Sequence, residues 1–400
     1  MLATIMPNAK KRILLLVTQA DWGGVQSFIV RFAAELKKEG HDVLLAAGGD
    51  GELWAEAERR GIRTHRLTHV RRDIHVLEDW MAIREITRLY QSFQPDAIHL
   101  NSSKIGVLGS IAASRLSSTV YGLPSTSPRI VYRIGGWSFL EPMAYGKQWI
   151  YRAAETWSAK YKDAIITVHP GDEALAKKIG IVPRERIVTV PNGLDVVTFV
   201  SRLKTREDAR HELGIPKQAF VIGTIANAYP TKALPPYLNV VKRICDEDRN
   251  VIAVIIGDGP EFEMLKHTRD RLGLTDRVRL TGHHNDAASL LPAFDIFALP
   301  SRKEGMPWTL LEAMAAGLPS VTTDVGACRW MLLDELRGNA GVIVPARDLS
   351  AMIDALRQLK NDPDRRARFA HAARRIVTER FSWKETYRGN RDALLPLPRS

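Results

Sequence analysis

Two glutamates, Glu304 and Glu312, stand with seven residues between them in the block Pro300-Ser301-Arg302-Lys303-Glu304-Gly305-Met306-Pro307-Trp308-Thr309-Leu310-Leu311-Glu312. Glu304 precedes a glycine in a loop that follows an apolar run, and Glu312 falls in the first turn of a predicted helix. Ionised carboxylates so placed accept hydrogen bonds from hydroxyl groups. The amides of Gly305, Met306 and Trp308 at the helix entry can converge on an anion. Thr309 and Glu312 also fit an S/T-x-x-E capping box, which gives Glu312 a purely structural alternative. A cation for the same anion is at hand in Asn227-Ala228-Tyr229-Pro230-Thr231-Lys232, a loop past another apolar run. Lys232 there serves either as a point charge on a phosphate or as an ordinary solvated lysine. A second glycine-bearing helix entry, Asp21-Trp22-Gly23-Gly24-Val25-Gln26, lets backbone approach an anion or simply makes a tight turn. Gly257-Asp258-Gly259-Pro260-Glu261-Phe262 approaches a dinucleotide fingerprint, but Phe262 holds its third glycine position, so NAD is not expected. Cys245 and Cys328 belong to no CxxC or Cys/His cluster, so no metal site is expected and a reducing compartment is.

The elements that position these residues repeat one pattern. Short β-branched runs at 12–18, 42–47, 97–100, 129–134, 164–168 and 187–190 alternate with helical periodicity, as in 26–38, where Phe28, Phe32, Ala33 and Leu36 share a face. Six more runs follow at 220–225, 251–256, 278–280, 296–299, 320–322 and 342–344. Runs bounded by Gly, Pro or Asp and joined by helices imply βαβ units on parallel sheets. Two sets of six exceed one ordinary sheet, so the 400 residues divide into two doubly wound domains. The seam is expected after Pro191-Asn192-Gly193-Leu194-Asp195, giving domains 1–195 and 196–375 and a tail or helix 376–400 that packs back toward the first. A polar helix over 201–214 should open the second domain, and 117–128, rich in Ser, Thr, Gly and Pro, reads as an insertion loop. Domains of this kind bind ligands at the C-terminal ends of their strands, here in a cleft where the two meet.

Composition excludes several classes. No stretch approaches the ~18 apolar residues of a membrane helix. Lys10-Lys11-Arg12 before Ile13-Leu14-Leu15-Leu16-Val17 imitates a signal peptide, but the apolar part is too short and reads as a first strand in a cytoplasmic protein. Net charge is +12, which calls for an anionic partner such as nucleic acid, a bilayer or a phosphorylated substrate. Arg59, Arg60, Arg63, Arg66, Arg71 and Arg72 cluster with His65 and His69, and a second cluster lies at 365–380. Either is a solvated face or a binding face. No aromatic side chains interleave with the first and no nucleic-acid motif accompanies it, so nucleic acid is not the expected partner.

In this order, Pro191-Asn192-Gly193, Gly257-Asp258-Gly259-Pro260, Gly282 and the Glu304–Glu312 pair resemble the retaining glycosyltransferases of family 4. The resemblance runs along nearly the whole chain and is most specific in the second half. It implies an α/β GT-B fold, two Rossmann-like domains facing across a cleft. It also implies metal-independent, configuration-retaining transfer of a sugar from a nucleotide-sugar, UDP- or GDP-linked, with no cofactor. The implied acceptor is a glycan or a lipid-linked diphosphate in bacterial surface polysaccharide synthesis. Carried over, Glu304 would hold donor-sugar hydroxyls and Glu312 the ribose hydroxyls. Lys232 would neutralise the leaving diphosphate, helped by Gly23, Gly24 and the backbone of Gly305, Met306, Pro307, Trp308 and Thr309, while Gly282 and His283 would line the base. Asn101-Ser102-Ser103-Lys104 resembles an acceptor-side loop. Asn227 stands where many members carry an arginine on the diphosphate, with Arg133 or Arg302 as substitutes, and Gly135 stands where many carry a histidine. Two other readings share the fold: a sugar-nucleotide epimerase, and a catalytically impaired donor-binding scaffold. The resemblance and the charge together place the protein at the inner face of the membrane, with the arginines of 59–72 toward anionic lipid.

Overall fold

Strands buried on both faces must be apolar along their whole length, and runs such as Ile13–Val17 or 251–256 can form only the interior of a parallel sheet covered by helices. The computed structural model, described for residues 10–116 and 127–396, contains two such sheets. The first holds β1 (Arg12–Gln19), β2 (Asp42–Gly48), β3 (Arg63–Leu67), β4 (Ala97–Asn101), β5 (Arg129–Ile134), β6 (Ala164–Thr167) and β7 (Arg186–Thr189). The second holds β8 (Phe220–Ile225), β9 (Val251–Ile256), β10 (Val278–Gly282), β11 (Ile296–Leu299), β12 (Ser320–Thr323) and β13 (Gly341–Val344). Their orders are β3-β2-β1-β4-β5-β6-β7 and β10-β9-β8-β11-β12-β13, with every pairing between named strands parallel. In each sheet the strand order reverses between the first strand and a later one, β1 and β4 or β8 and β11. Such a reversal opens a crevice beyond the strand ends, because the connections on its two sides leave in opposite directions.

The described residues of Met1–Phe139, Met143–Val190 and Tyr387–Ser400 form one unit, and Leu140–Pro142 with Pro191–Thr386 form the other. The division thus falls at Pro191, and the second unit continues past 375 through the whole helix Pro363–Arg380. The helix Trp383–Leu394 starts in the second unit, and its residues from Tyr387 onward belong to the first. There the Tyr387 ring packs tilted against Phe32 with centroids 5.7 Å apart, and the Arg129 guanidinium donates to the Ala393 carbonyl.

Two sequence expectations need correction. The arginine run at 59–72 contains a strand, β3, with its first four residues exposed at the sheet edge. Its charges are matched: Arg63 with Asp42, Arg66 with Asp50, Arg59 and Arg60 with Glu56, and Arg71 with Glu78. Of the expected helix 201–214 only Arg206–Glu212 is helical, started by the Thr205 cap, and a separate short helix, Val196–Val200, capped by Asp195, precedes it. The expected insertion loop lies almost wholly outside the described residues, which resume at 127.

Candidate active site

Lys232 and Glu304 are 72 residues apart in sequence and meet because their loops leave the two strands at the reversal of the second sheet, β8 and β11. The Lys232 ammonium donates to Glu304 Oε1 at 2.7 Å, and the buried Ser301 hydroxyl donates to the same oxygen at 2.6 Å. A backbone bond joins the loops, the Arg302 amide donating to the Thr231 carbonyl at 2.7 Å, and the Thr323 hydroxyl at the end of β12 donates to the Ser301 carbonyl. Lys232 closes a short 3-10 turn, and Ala233 after it is left-handed at φ +53°.

The loop after Glu304 is held from two further sides. Gly326, at φ +53°, lies so close that a Cβ there would collide with the Glu304 and Gly305 carbonyls, and the Ala327 amide donates to the Gly305 carbonyl at 2.7 Å. From the start of the second unit, the Nδ2 of the buried Asn192 side chain donates to the Met306 carbonyl at 2.8 Å. Asn192 was visible in the Pro191-Asn192-Gly193 motif but carried no role there. Its function as a strap depends on a partner 114 residues away, which spacing does not reveal. Gly326→Ala is expected to destabilise the fold by about 1–3 kcal/mol through the positive φ and the collision. Urea unfolding with an unchanged midpoint would show that the loop yields instead.

Glu312 is not part of a capping box. The helix Trp308–Ala316 is capped by Pro307, so Thr309 sits inside its first turn and Glu312 a turn further on. No side chain caps this entry, and the first-turn amides therefore remain available to an anion. Glu312 has no hydrogen-bond partner among the described residues. Desolvation by the surrounding protein pushes its carboxyl up to about 7, with Asp286 adding to the shift and Arg202 opposing it. An acid left without a partner in protein surroundings is a group whose partner is expected to arrive from outside.

The glycines of Gly257-Asp258-Gly259 serve close backbone approach. A Cβ at Gly257 would strike the Ala226 carbonyl, and the Gly257 amide donates to the Gly282 carbonyl at 2.9 Å. The Ala228 amide donates to the Asp258 carbonyl at 2.8 Å, which fixes the turn bearing Asn227. Asn227 and His283 are both exposed, and His283 Nε2 lies 3.1 Å from Asn285 Oδ1. The Arg302 side chain is exposed and makes no hydrogen bond or ion pair with another described residue.

The remaining expected residues belong to the first unit, again beyond the reversal between β1 and β4. Gly23 precedes the helix Gly24–Lys38 with no side-chain cap, and its Cβ position is open apart from Gln26. The acceptor-side quartet is engaged internally. Asn101 is buried and bonds His99 Nδ1 at 2.9 Å, while Ser102 pairs with Thr18. Ser103 bonds Tyr132, and Lys104 pairs with Asp79 at 2.6 Å. Arg133 is buried with its guanidinium 3.9 Å above the Phe28 ring, and desolvation lowers its pKa to about 9. Burial likewise lowers His99 to about 3, helped by the Arg133 charge. A Cβ placed on Gly135 would meet no atom within 4 Å.

Among the described residues no three of His, Cys, Asp and Glu gather as a metal site would require, and no helix is long and apolar enough to cross a membrane. Residues 23–193 match the glycosyl transferase 4-like domain, and residues 205–376 match glycosyl transferases group 1. The chain belongs to the glycosyltransferases. This glycosyltransferase is 27% identical over 342 residues to the UDP-Gal:alpha-D-GlcNAc-diphosphoundecaprenol alpha-1,3-galactosyltransferase of Escherichia coli, covering 85% of each chain. It is 26% identical to the capsular polysaccharide biosynthesis glycosyltransferase CapM of Staphylococcus aureus, over 79% of this chain and 82% of that one. Anabaena HepE, solved in complex with UDP and glucose, superposes with a TM-score of 0.79 at 20% identity, covering 97% of this chain and all of that one. The glycosyltransferase therefore has the GT-B fold.

Proposed function

We propose that this glycosyltransferase moves a sugar from a UDP- or GDP-sugar to a glycan or lipid-linked diphosphate acceptor in bacterial surface polysaccharide synthesis, with retained configuration and without a metal. The observation that carries this is the Lys232–Glu304–Ser301 cluster at the strand reversal, on the same loop as a helix entry that no side chain caps. Departure of a nucleoside diphosphate builds negative charge, and preorganised amides with a fixed ammonium stabilise it more than water does. In this reading Lys232 shifts toward the diphosphate when donor binds, the 306–309 backbone completes the cradle, and Arg302 supplies the second cation in place of Asn227. Glu304, released by Lys232, accepts hydrogen bonds from the donor-sugar hydroxyls, and Glu312 takes the ribose. Gly282 and His283 flank the base. The acceptor class rests on the Escherichia coli relative, whose name specifies a diphosphoundecaprenol-linked acceptor. A lipid-linked acceptor places the reaction at the cytoplasmic face of the membrane.

The test is thermal stabilisation by UDP, GDP, ADP and TDP, on wild type and on Glu312→Ala. A nucleotide at ~100 times its dissociation constant adds ~2.7 kcal/mol to the folded state. UDP or GDP should raise the melting temperature of wild type and raise that of Glu312→Ala less. If no nucleotide moves wild type, the donor site is wrong. Turnover that survives chelator, followed by the anomeric proton coupling of the product, then decides metal independence and retention.

A further inference from the structure

The helix Tyr145–Ala159 has two faces of different character. One is turned inward, with Glu155, Ser158 and Ala159 buried. On the other, Tyr145, Trp149, Ile150 and Trp157 are 85%, 66%, 53% and 50% exposed. At helical spacing these four share an arc of about 140°. Exposed Lys147 and Arg152 border that arc on opposite sides, and the Lys160 ammonium lies 5.2 Å from the Trp157 ring centroid. The single acid of the helix, Glu155, is turned inward, where the Tyr132 hydroxyl and Lys162 hold it at 2.8 and 3.4 Å. The outward face thus combines aromatic and aliphatic surface with cations and carries no anion.

A contiguous apolar stripe of this kind marks a surface that something covers. Aromatic rings settle at the headgroup level of a bilayer, and flanking lysines and arginines are drawn to anionic lipid. The helix Val76–Phe93 opens with exposed Val76, Leu77 and Trp80, its first-turn acids Glu78 and Asp79 being paired with Arg71 and Lys104, and the Arg84 guanidinium lies 4.5 Å from the Trp80 ring centroid. The helix Ser103–Ser114 packs against both, so the three line one face of the first sheet. Both exposed starts lie at the C-terminal end of its strands, the end that carries Ser102 and Gly23. The arginine run at 59–72 offers less free charge, since most of it is already paired.

We infer that the outward face of the helix Tyr145–Ala159, with the start of Val76–Phe93, docks the first unit onto an anionic bilayer surface. The docking deepens the proposed function and rests on its reading of a lipid-linked acceptor, which would then lie in the plane of the docked helix.

Sedimentation with vesicles of phosphatidylcholine, with and without about one third phosphatidylglycerol, tests it. Wild type should sediment with the anionic vesicles, with its tryptophan emission shifted to the blue. Trp149→Ser with Ile150→Ser should lower partitioning roughly tenfold or more. Lys147→Glu with Arg152→Glu should abolish the preference for anionic lipid. Both double variants should keep the wild-type melting temperature and its response to nucleotide, because none of these side chains is buried. Equal sedimentation of Trp149→Ser/Ile150→Ser and wild type would overturn the inference. So would a lipid-free dimer, seen by light scattering, that the same variant dissociates, since a second copy would then be the cover. Vesicle binding by a wild type that no nucleotide stabilises would support the docking and overturn the donor reading.

Discussion

Lys232→Gln is expected to lower the rate of sugar transfer by about two to three orders of magnitude, the effect of removing one preorganised charge-stabilising donor from a leaving group. The same substitution strips Glu304 of its ammonium partner, although Ser301 stays in place. A largely buried carboxylate that loses its cation destabilises the fold by about 1–3 kcal/mol. These two losses have different origins and separate in the double variant. Lys232→Gln with Glu304→Gln removes the unpaired charge, so the unfolding midpoint should return toward wild type. The rate should not return. Single-turnover measurements beside urea unfolding of all three variants decide this. Full rescue of the rate along with stability would make Lys232 a structural partner of Glu304 and nothing more.

Glu312→Gln should have opposite effects on stability and on donor binding. The carboxyl of Glu312 titrates at about 7 in the folded protein against 4.5 as its ordinary value. Below pH 4.5 both states hold the proton, and Glu312 contributes nothing. Between pH 4.5 and about 7 the unfolded chain releases its proton while the folded chain keeps it, so the folded state loses ground. Well above pH 7 the penalty reaches its full size, roughly 3 kcal/mol. A neutral glutamine removes it, so the variant should be more stable than wild type at pH 8 and equal to it at pH 4. Donor affinity should run the other way. At pH 8 an ionised Glu312 accepts charge-assisted hydrogen bonds worth about 1.5–3 kcal/mol, and glutamine loses most of this. As pH falls through 7 the wild type should lose that advantage and approach the variant. Calorimetric titration of nucleotide at several pH values reads the difference, which also cancels the ligand's own ionisation. A constant gap across that range would place Glu312 outside the binding site.

The alternation of apolar runs and helices was enough to read two parallel doubly wound sheets, because strands buried on both faces leave a continuous hydrophobic record. Only β3 escaped, since an edge strand needs no apolar outer residues and here carries Arg63, His65 and Arg66. Lys232 and Glu304 were legible as residue types at strand ends, but their meeting was not, because it follows from strand order and strand order is not local. The role of Glu312 was blurred by Thr309. The capping pattern existed in the letters, and Pro307 set the helix start two residues earlier. Asn101 and Lys104, expected on the acceptor side, also have internal partners, His99 and Asp79, which the letters alone do not reveal.

The helix Trp383–Leu394 has a consequence for biosynthesis. The first unit is the part of the chain made first, and domains ordinarily fold as they leave the ribosome. Yet Phe32 packs on Tyr387, and Arg129 donates to a carbonyl 264 residues further along. Buried His99, beneath Phe28 and Phe32, likewise faces Asn390, which favours its protonated form. During synthesis the nascent first unit therefore stands open at this seam while the entire second unit is translated. Its closing piece arrives only afterwards, so the earlier half is completed after the later half has been made, and chains that stall before Tyr387 are expected to be open to proteolysis at Phe32 and its neighbours.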